Sequence, residues 1–338
     1  MIRDAIITLA SGQSLTQAEA SEAMREIMAG QATHSQIAAF LTALRFKGET
    51  VDEITGLALV MRENVVRVEI DYPLADTAGT GGADSDTINV STAAALVASA
   101  AGVPVAKHGN RAMSSQTGSA DVLEALGVRV DLAAAGVKRC LDEIGIGFMF
   151  AQTYHPAMRH AAPTRREIGF RTVFNILGPL TNPAGARHQV IGTGSAALVP
   201  KLAEVLNRLG TRRSMVVRGV DGTDEFSISS PTDVVEIQNG TTLSYQVSPE
   251  EVGMRTAPAS AIAGGPPDFN AAAVNAIFAG EMGARRDVVV LNAAATLLAF
   301  GAAPTLRDGV ELAARAIDDG SARKRLADLV KLSQELGQ

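Results

Sequence analysis

The sequence has a single cysteine, Cys140, among its 338 residues. No disulfide can therefore form within the chain, and this fits a reducing compartment. Cys140 falls in an apolar, helix-like stretch, so we interpret it as an inert core residue. Arg3 and Asp4 interrupt the opening apolar residues, which argues against a secretory signal, and no uninterrupted apolar run reaches the length of a membrane span. These absences predict a cytoplasmic protein with no membrane partner.

The sequence also lacks an excess of positive charge. Its 30 basic residues are outnumbered by 36 acidic ones, which gives a net charge of −6. Nonspecific nucleic-acid binding requires a basic surface, so this balance argues against it. Apolar residues make up 46% and charged residues 20% of the chain, so we expect a sizeable core and no extensive disorder. The length suits two domains, and an anionic ligand must be attracted by local features.

Two glycine-broken turns, each running into the start of a helix, dominate the stretch from Asp76 to Gly127. The first contains Gly79-Thr80-Gly81-Gly82 and continues through Asn89-Val90-Ser91-Thr92 into an alanine-rich run. The second contains Lys107-His108-Gly109-Asn110-Arg111 and continues to Gly118-Ser119-Ala120-Asp121. Glycine lets a ligand approach the main chain closely, and a helix start offers free N–H groups to a phosphate. With Lys107 and Arg111 as mobile positive charges, the two turns predict a ligand with two separate phosphate groups.

The first turn matches neither of two common nucleotide-binding motifs. No Gly-Lys-Ser/Thr follows the first turn, and its glycines precede the helix by about ten residues, so neither the Walker motif nor the dinucleotide fingerprint fits. Asn89, Ser91 and Thr92 stand where the cap of the first helix is expected, and Ser119 or Thr117 where the cap of the second is expected. A single such turn often binds nothing, but two in succession favour a ligand site.

The fold class follows from the order of helix-like and strand-like segments. Residues 1–70 contain three capping boxes, Thr16…Glu19, Thr33…Gln36 and Thr50…Glu53, and predict a small all-helical domain. After Asp71-Tyr72-Pro73, strand-like runs alternate with helical ones, which predicts a larger α/β domain with a mainly parallel central sheet flanked by helices. Asn239-Gly240 between two strand-like runs predicts a hairpin and an antiparallel edge.

We predict strands at 103–106, 146–150, 189–192, 214–218, 234–238 and 242–247. We predict helices at 91–101, 120–126, 135–144 and 200–209, a further helix that starts at His155 and carries Arg159, Arg165 and Arg166, and a helical last third at 270–279, 288–300, 309–320 and 322–336.

An acidic loop, Gly219-Val220-Asp221-Gly222-Thr223-Asp224-Glu225, follows the predicted strand 214–218. It therefore lies at the carboxyl end of a strand, where open α/β sheets bind ligands. Adjacent carboxylates in a glycine-bearing loop suit Mg²⁺, which takes oxygen ligands and keeps water and substrate phosphates in its shell. The residue pattern alone leaves a solvated acidic turn as the alternative.

These motifs, in this order and over almost the whole chain, resemble the anthranilate phosphoribosyltransferase family of tryptophan biosynthesis. The resemblance implies that the phosphoribosyl group of phosphoribosyl pyrophosphate is transferred to the amino group of anthranilate with Mg²⁺ as cofactor. The products would be N-(5-phosphoribosyl)anthranilate and pyrophosphate. It also implies that the small domain, 1–70, is completed by about 155–185, with 71–154 and 186–338 as the large domain. The apolar faces of the small domain's helices suggest a homodimer contact through this domain, and a role in its own core alone is the alternative.

The resemblance assigns site residues one by one. The residues that match contacts of phosphoribosyl pyrophosphate are Gly79, Gly82, Ala83, Thr87, Asn89, Val90, Ser91, Thr92, Lys107, His108, Gly109, Asn110, Arg111, Ala112, Met113, Ser114, Ser115 and Ser119. Those that match anthranilate contacts are Gly79, Asn110 and Arg165, and those that match metal ligands are Ser91, Asp224 and Glu225.

Arg165 matches the arginine that faces the anthranilate carboxylate, for which a guanidinium is the natural partner. Charge alone does not select it from Arg166 and Arg171. His155 is interpreted as a helix-start residue, and no residue is assigned as a strong acid or base. An aromatic amine is already nucleophilic, so we expect positioning to dominate.

One position departs from the family pattern. The family usually has an aspartate directly after the second of the paired glycines, whereas this chain has Ala83 there and Asp84 one step later. We hypothesise that Asp84 or Asp86 takes over the contact of that aspartate with substrate and metal shell. Three alternatives stay open: a pyrimidine-nucleoside phosphorylase of the same fold, a nucleic-acid-binding paralogue, and an inactive paralogue that Ala83 alone supports.

Overall fold

The computed structural model describes residues 1–82, 87–112 and 115–337. Its first four helices are α1 Ile2–Ala10, α2 Gln17–Met28, α3 His34–Lys47 and α4 Val51–Glu63. Helices α2, α3 and α4 begin at the three predicted capping boxes, where Thr16, Thr33 and Thr50 each accept a hydrogen bond from the backbone three residues on. Helix α1 is not among the predicted helices, because Met1 precedes it and no side chain caps it.

Seven strands form one sheet in the order β3-β2-β1-β4-β5-β6-β7. The strands are β1 Ala75–Gly79, β2 Val105–Gly109, β3 Ile146–Phe150, β4 His188–Gly192, β5 Arg213–Gly219, β6 Thr232–Gln238 and β7 Thr241–Val247. The five strands from β3 to β5 are parallel, and β6 and β7 are antiparallel. The predicted parallel sheet and the hairpin at Asn239-Gly240 are thereby confirmed, and both turn residues have the positive φ that a hairpin turn requires.

Strand β1 is the strand that the pattern missed. It has only five residues, includes a buried aspartate and ends in glycine, so it lacks the β-branched run that marks a strand. It nevertheless lies at the centre of the sheet, between β2 and β4. The chain proceeds from β1 outward to β3 and then returns to β4, so the strand order reverses between β1 and β4. Open α/β sheets bind ligands at such a reversal, outside the carboxyl ends of the strands.

The remaining helices are α5 Val90–Ala100, α6 Ser119–Ala125, α7 Ala134–Ile144, α8 Ala151–Tyr154, α9 Ala162–Ile168, α10 Val173–Leu177, α11 Leu198–Arg208, α12 Pro267–Phe278, α13 Ala284–Phe300, α14 Leu306–Asp318 and α15 Ser321–Leu336. The predicted helices agree with these except at His155. There the single predicted helix is wrong, because a 3₁₀ turn, Pro156–His160, is followed by the separate helix α9, and a proline opens each of them. Within the described ranges, no helix combines the length and apolarity needed to cross a membrane.

Two hydrophobic clusters lie on opposite faces of the sheet around β4, β5 and β6. In β5, Met215 and Val217 belong to one cluster and Val216 to the other, as the alternation of side chains along a strand requires. The first cluster also takes in α5 and α13, and the second takes in α1 to α4, α11 and residues between 161 and 180. Residues between 161 and 180 therefore pack with the first four helices, and the domain boundaries near 70, 155 and 185 stay a prediction.

Candidate active site

Lys107 lies at the centre of the candidate site, on β2 beside the central strand β1. Its side chain is buried, and its Nζ donates a hydrogen bond to the Thr77 carbonyl oxygen at 2.7 Å and lies 3.4 Å from Ser91 Oγ. Burial lowers the pKa of the ammonium group, and the charges of Asp76 and Glu225 oppose that decrease. The expectation of a mobile charge at Lys107 is therefore wrong, because the ammonium group is fixed among strand residues.

The acidic pair Asp224 and Glu225 reaches the same place from the loop after β5. A Cβ on Gly79 would lie 2.5 Å from Asp224 Oδ2, and one on Gly192 would lie 1.5 Å from the Asp224 carbonyl oxygen, so both glycines make room for this loop. Glu225 interacts with the charge of Lys107 and accepts a hydrogen bond from the backbone N–H of Ser91. Lys107, Ser91 and the acidic pair thus surround one site at the carboxyl ends of β1, β2 and β5.

The acidic pair carries unfavourable electrostatics in the protein alone. Burial raises the pKa of Asp224, although backbone N–H groups and the charge of Arg171 oppose the rise. Burial and the neighbouring charge of Asp224 raise the pKa of Glu225 to about 8. Two carboxylates beside the Ser91 hydroxyl form a set of oxygen donors, which is the type of ligand that Mg²⁺ prefers. The described ranges contain no group of three or more His, Cys, Asp or Glu suited to a metal, so water and a substrate phosphate would have to complete the shell.

Asn89 connects the two glycine turns. Its Nδ2 donates to the Thr117 carbonyl oxygen at 3.0 Å, and its Oδ1 accepts from Asn270 Nδ2 at 2.9 Å. Asn89 occupies the N-cap position of α5, as predicted, but its side chain makes no capping bond because it is used between the turns. The hydroxyl of Thr92, in the first turn of α5, is buried with no hydrogen-bond partner in the described part of the chain. This unsatisfied hydroxyl at a helix start is available to a phosphate group.

The second turn is closed by Asp121 and not by the side chains predicted to cap it. Gly118 is the N-cap of α6, and Asp121 Oδ2 accepts the backbone N–H groups of Gly118 and Ala112, both at 2.9 Å. The capping prediction for Thr117 and Ser119 is wrong, because the Thr117 hydroxyl donates to the Gly265 carbonyl oxygen and the Ser119 hydroxyl donates to that of Asn110.

Arg111 is held by acidic residues of α6. Its guanidinium donates to Asp121 and Glu124 and lies 5.5 Å from the centre of the Phe150 ring. Hydrogen bonds to Glu124 and Asp121 raise the pKa of this group. The expectation that Arg111 supplies a mobile charge is therefore wrong for the protein alone, since two carboxylates neutralise it.

A pair of buried histidines lies beside Lys107. His108 Nδ1 is 3.2 Å from the Gly178 carbonyl oxygen, and the ring centres of His108 and His155 are 5.0 Å apart. Burial lowers the pKa of His108 to about 3 and that of His155 to about 4, so both rings are neutral. The Nε2 atom of each ring is buried and has no hydrogen-bond partner among the residues described. His155 also begins the 3₁₀ turn, which agrees with its interpretation as a helix-start residue.

Arg165 and Arg166 are distinguished by their burial. The Arg165 guanidinium lies 5.1 Å from the centre of the Phe174 ring, and burial lowers its pKa to about 10, whereas Arg166 is exposed. A half-buried guanidinium stacked on an aromatic ring is a preorganised partner for a carboxylate. Contact of Arg165 with anthranilate stays a prediction.

Arg171 is a site residue that sequence reasoning set aside. It donates a hydrogen bond to the Thr80 carbonyl oxygen, and a Cβ on Gly82 would lie 2.9 Å from Arg171 Cζ. Its charge also opposes the rise in the pKa of Asp224. No local pattern marks Arg171, because it is 91 residues away in sequence from the turn that it contacts.

A buried polar network that sequence reasoning also missed fixes β1. Asp76 accepts hydrogen bonds from the Asn182 side chain at 2.8 Å and from the His108 backbone N–H at 3.3 Å. The one sequence feature that could have indicated this network is Asp76 itself, an aspartate shortly before the first glycine turn. The missed residue Asn270 likewise supports both turns through Asn89 and through the Gly265 N–H at 2.9 Å.

The other predicted site residues lie on the same two turns or outside the described ranges. Gly82 follows β1, Thr87 bridges to Ala263, and Val90 begins α5. Gly109 ends β2, Asn110 accepts from the Arg111 N–H, and Ala112 and Ser115 lie between β2 and α6. The predictions for Ala83, Asp84, Asp86, Met113 and Ser114 fall outside the described residues.

Comparisons with known proteins agree on one family. Residues 3–65 match the helical bundle domain, and residues 71–323 the a/b domain, of the glycosyl transferase family. The anthranilate phosphoribosyltransferase of Chloroflexus aggregans is 56% identical over 335 residues, which cover 98% of each chain. That of Symbiobacterium thermophilum is 54% identical and covers 97% of this chain and 96% of its own.

Solved structures give the same result. The crystal structure of anthranilate phosphoribosyltransferase from Thermus thermophilus has a TM-score of 0.92 and 45% identity, covering 98% of this chain and 99% of its own. The Saccharomyces cerevisiae enzyme in complex with PRPP and Mg has a TM-score of 0.90 and 25% identity, covering 99% of this chain and 98% of its own. With the domain matches, the full-length relatives and the shared architecture in agreement, this chain belongs to the anthranilate phosphoribosyltransferase family.

Proposed function

We propose that this protein transfers the phosphoribosyl group of phosphoribosyl pyrophosphate to the amino group of anthranilate, a step of tryptophan biosynthesis. The observation that carries the proposal is the convergence of Lys107, Ser91, Asp224 and Glu225 where the strand order reverses. That arrangement combines a fixed cation, a helix start and a carboxylate pair, which are the groups needed to bind a phosphorylated sugar diphosphate. Relatives that are 56% and 54% identical to this chain are named anthranilate phosphoribosyltransferase.

The two glycine turns would bind the two anionic ends of phosphoribosyl pyrophosphate. The unsatisfied Thr92 hydroxyl, in the first turn of α5, would donate to one of the phosphate groups. The turn between β2 and α6 offers the second. Because Asn89 hydrogen-bonds across the turns, both positions are held in a fixed relation to each other.

Ser91, Asp224 and Glu225 would hold Mg²⁺, the ion present in the yeast complex with PRPP. When bound, Mg²⁺ neutralises negative charge that develops on the leaving pyrophosphate. The fit rests on the half-buried carboxylates, whose raised pKa values reflect partial burial and, for Glu225, the charge of Asp224. A bound divalent cation would stabilise the charged form of both carboxylates and so lower their pKa values.

In the proposed reaction the anthranilate nitrogen forms a bond to the anomeric carbon of the ribose. The bond from that carbon to a pyrophosphate oxygen breaks, its electron pair leaves with pyrophosphate, and the nitrogen releases its proton to water. The fixed Lys107 ammonium is a preorganised donor for the charge on the leaving group. Gly79, Asn110 and Arg165 would orient anthranilate, with the Arg165 guanidinium paired to its carboxylate.

Loss of anthranilate fluorescence on addition of phosphoribosyl pyrophosphate tests the proposal. We expect the fluorescence to fall when Mg²⁺ is present and to stay nearly constant when a chelator removes it. Release of thymine from thymidine and phosphate, with no use of anthranilate, would instead identify a nucleoside phosphorylase.

Asp84→Asn and Asp86→Asn test the hypothesis that one of these residues replaces the family's aspartate. The hypothesis is wrong if both variants keep full turnover and Mg²⁺ dependence.

We also propose that the protein is a cytoplasmic homodimer through the small helical domain. Large apolar side chains on α1 and α3 support a dimer contact, since Ile7 is 60% exposed and Phe46 is 82% exposed. Ile7→Glu should give a monomer in light scattering, whereas Leu243→Glu, at a side chain 62% exposed on the edge strand β7, should leave the dimer intact. The single buried cysteine supports a reducing compartment.

A further inference from the structure

A cavity of about 280 Å³ lies at the edge of the sheet opposite the candidate active site. It is lined by residues that precede β1, β4 and β5, whereas the candidate site lies where these strands end. The lining comes from the two segments that connect the helical bundle to the sheet, near 65–70 and 182–187. These segments are joined directly, because the Val68 N–H donates to the Pro183 carbonyl oxygen at 3.2 Å.

Three arginines, Arg62, Arg67 and Arg187, line this cavity, and Glu69 is the one carboxylate among the lining residues. In the described chain, none of the three forms an ion pair. Arg62 donates to the carbonyl oxygens of Leu180 at 2.7 Å and Leu209 at 3.2 Å, which anchor its guanidinium in the cavity wall but supply no countercharge.

Arg62 and Arg187 also repel each other. Burial lowers the pKa of Arg62 to about 10, and the charge of Arg187 contributes to the decrease. The protein as a whole has a net charge of −6, so this positive cluster contrasts with the rest of the molecule. A bound anion would supply the countercharge that the lining lacks.

We propose that this cavity binds a small, multiply charged oxyanion, a phosphate or a polycarboxylate, through Arg62, Arg67 and Arg187. A guanidinium group can bind two oxygens of either anion at once. The volume is at the lower end of the range for ligand pockets, roughly 300 Å³ and above, so the ligand is small.

The cavity is in direct contact with the network that fixes β1. Asn182 lines the cavity, and its Nδ2 donates to Asp76 Oδ2 and to the Ala106 carbonyl oxygen, both at 2.8 Å. A bound anion would therefore hold the two connecting segments together beside the residue that positions the central strand.

Calorimetric titration of the full-length protein with inorganic phosphate, and separately with citrate, both without Mg²⁺, tests the proposal. We expect the wild-type protein to show a binding event that is at least tenfold weaker in the double variant R67Q/R187Q. The control Arg212→Gln removes an exposed arginine that does not line the cavity, and it should bind as the wild type does. Phosphate bound at the candidate active site would persist in all three proteins, so the test does not depend on the proposed function.

The two titrations distinguish phosphate from polycarboxylate as the preferred ligand. If R67Q/R187Q binds each anion as tightly as the wild type does, the proposal is overturned.

Thermal unfolding gives a second readout. Without anion, Arg187→Gln should unfold at or above the wild-type temperature, because a repulsive charge is gone, and phosphate should raise the unfolding temperature of the wild type by more than that of R67Q/R187Q. A lower unfolding temperature of the anion-free Arg187→Gln would indicate a structural arginine and contradict the proposal.

Discussion

Gly79 and Gly192 lie at the ends of neighbouring strands and face the same acidic residue, but they should respond differently to alanine. At Gly192 the new Cβ would lie 1.5 Å from the Asp224 backbone, which cannot move away independently, so we expect a loss of about 3 kcal/mol or more in unfolding free energy. At Gly79 the Cβ would lie 2.5 Å from the Asp224 carboxylate, which can rotate. Gly79→Ala should therefore stay folded and lose about tenfold or more in turnover.

Urea denaturation and the fluorescence assay separate these outcomes. Gly136→Ala is the control, because a Cβ there meets Leu132 at an ordinary 3.4 Å inside helix α7, and stability should change by less than about 1 kcal/mol. Equal losses of stability for alanine at Gly79 and at Gly192 would contradict the predicted difference between the two positions.

Arg171 should contribute to substrate binding although the sequence alone does not distinguish it. Arg171→Gln removes the hydrogen bond to the Thr80 carbonyl oxygen and the charge opposite Asp224. Since hydrogen bonds to charged groups contribute about 1.5 to 3 kcal/mol, we expect kcat/KM for phosphoribosyl pyrophosphate to fall by about tenfold or more, mainly through KM. Arg166→Gln, at an exposed neighbour, should change kcat/KM by less than about twofold. Similar kinetics for both variants would rule out a role of Arg171 in the glycine turn.

At the scale of elements, the sequence predicts those with local signals. Capping boxes predict α2 to α4, and Asn239-Gly240 predicts the hairpin, because the responsible side chains are three residues or fewer apart. Strand β1 has no such signal. Its position is determined by Asn182, a residue 106 positions away that hydrogen-bonds Asp76. Arg171 and Asn270 are missed for the same reason, because their contacts with the turns are formed only by the fold.

Two capping boxes of the same pattern should differ in their effect on stability. Glu53 is fully buried and accepts from the Leu15 N–H, the Thr50 N–H and Lys47 Nζ at 2.8 to 2.9 Å, whereas Glu19 caps α2 in solvent. Glu53→Gln would leave Lys47 without its buried countercharge, so we expect a loss of about 3 kcal/mol in unfolding free energy. Glu19→Gln should cost about 0.5 kcal/mol or less, because glutamine also completes a capping box. Urea denaturation measures both, and equal losses would contradict this account.

At the scale of the whole molecule, the candidate site is assembled from segments that the sequence separates widely. The motifs between Asp76 and Gly127 predict the turns, and the acidic loop is predicted from its place after a strand. Their convergence depends on the reversal of strand order between β1 and β4, which requires the missed strand to be in place. The titratable groups in this region are therefore buried only in the completely folded protein. Because unfolding exposes them, the unfolding free energy should depend on their protonation.

His108 and His155 should make the stability of the whole protein fall in acid. Burial holds the pKa of these rings at about 3 and about 4, whereas an unfolded histidine has its usual pKa near 6.5. Below pH 6.5 these two histidines therefore bind protons in the unfolded chain but stay neutral in the folded chain. As a result, each histidine should reduce the unfolding free energy by about 2 kcal/mol between pH 7 and pH 5. Urea denaturation at both values of pH, on the wild type and His155→Gln, measures the effect. The difference between the two proteins isolates the histidine from the half-buried carboxylates Asp224 and Glu225, whose raised pKa values act in the opposite direction. A variant that loses as much stability as the wild type between pH 7 and pH 5 would show that His155 is not kept neutral by the fold.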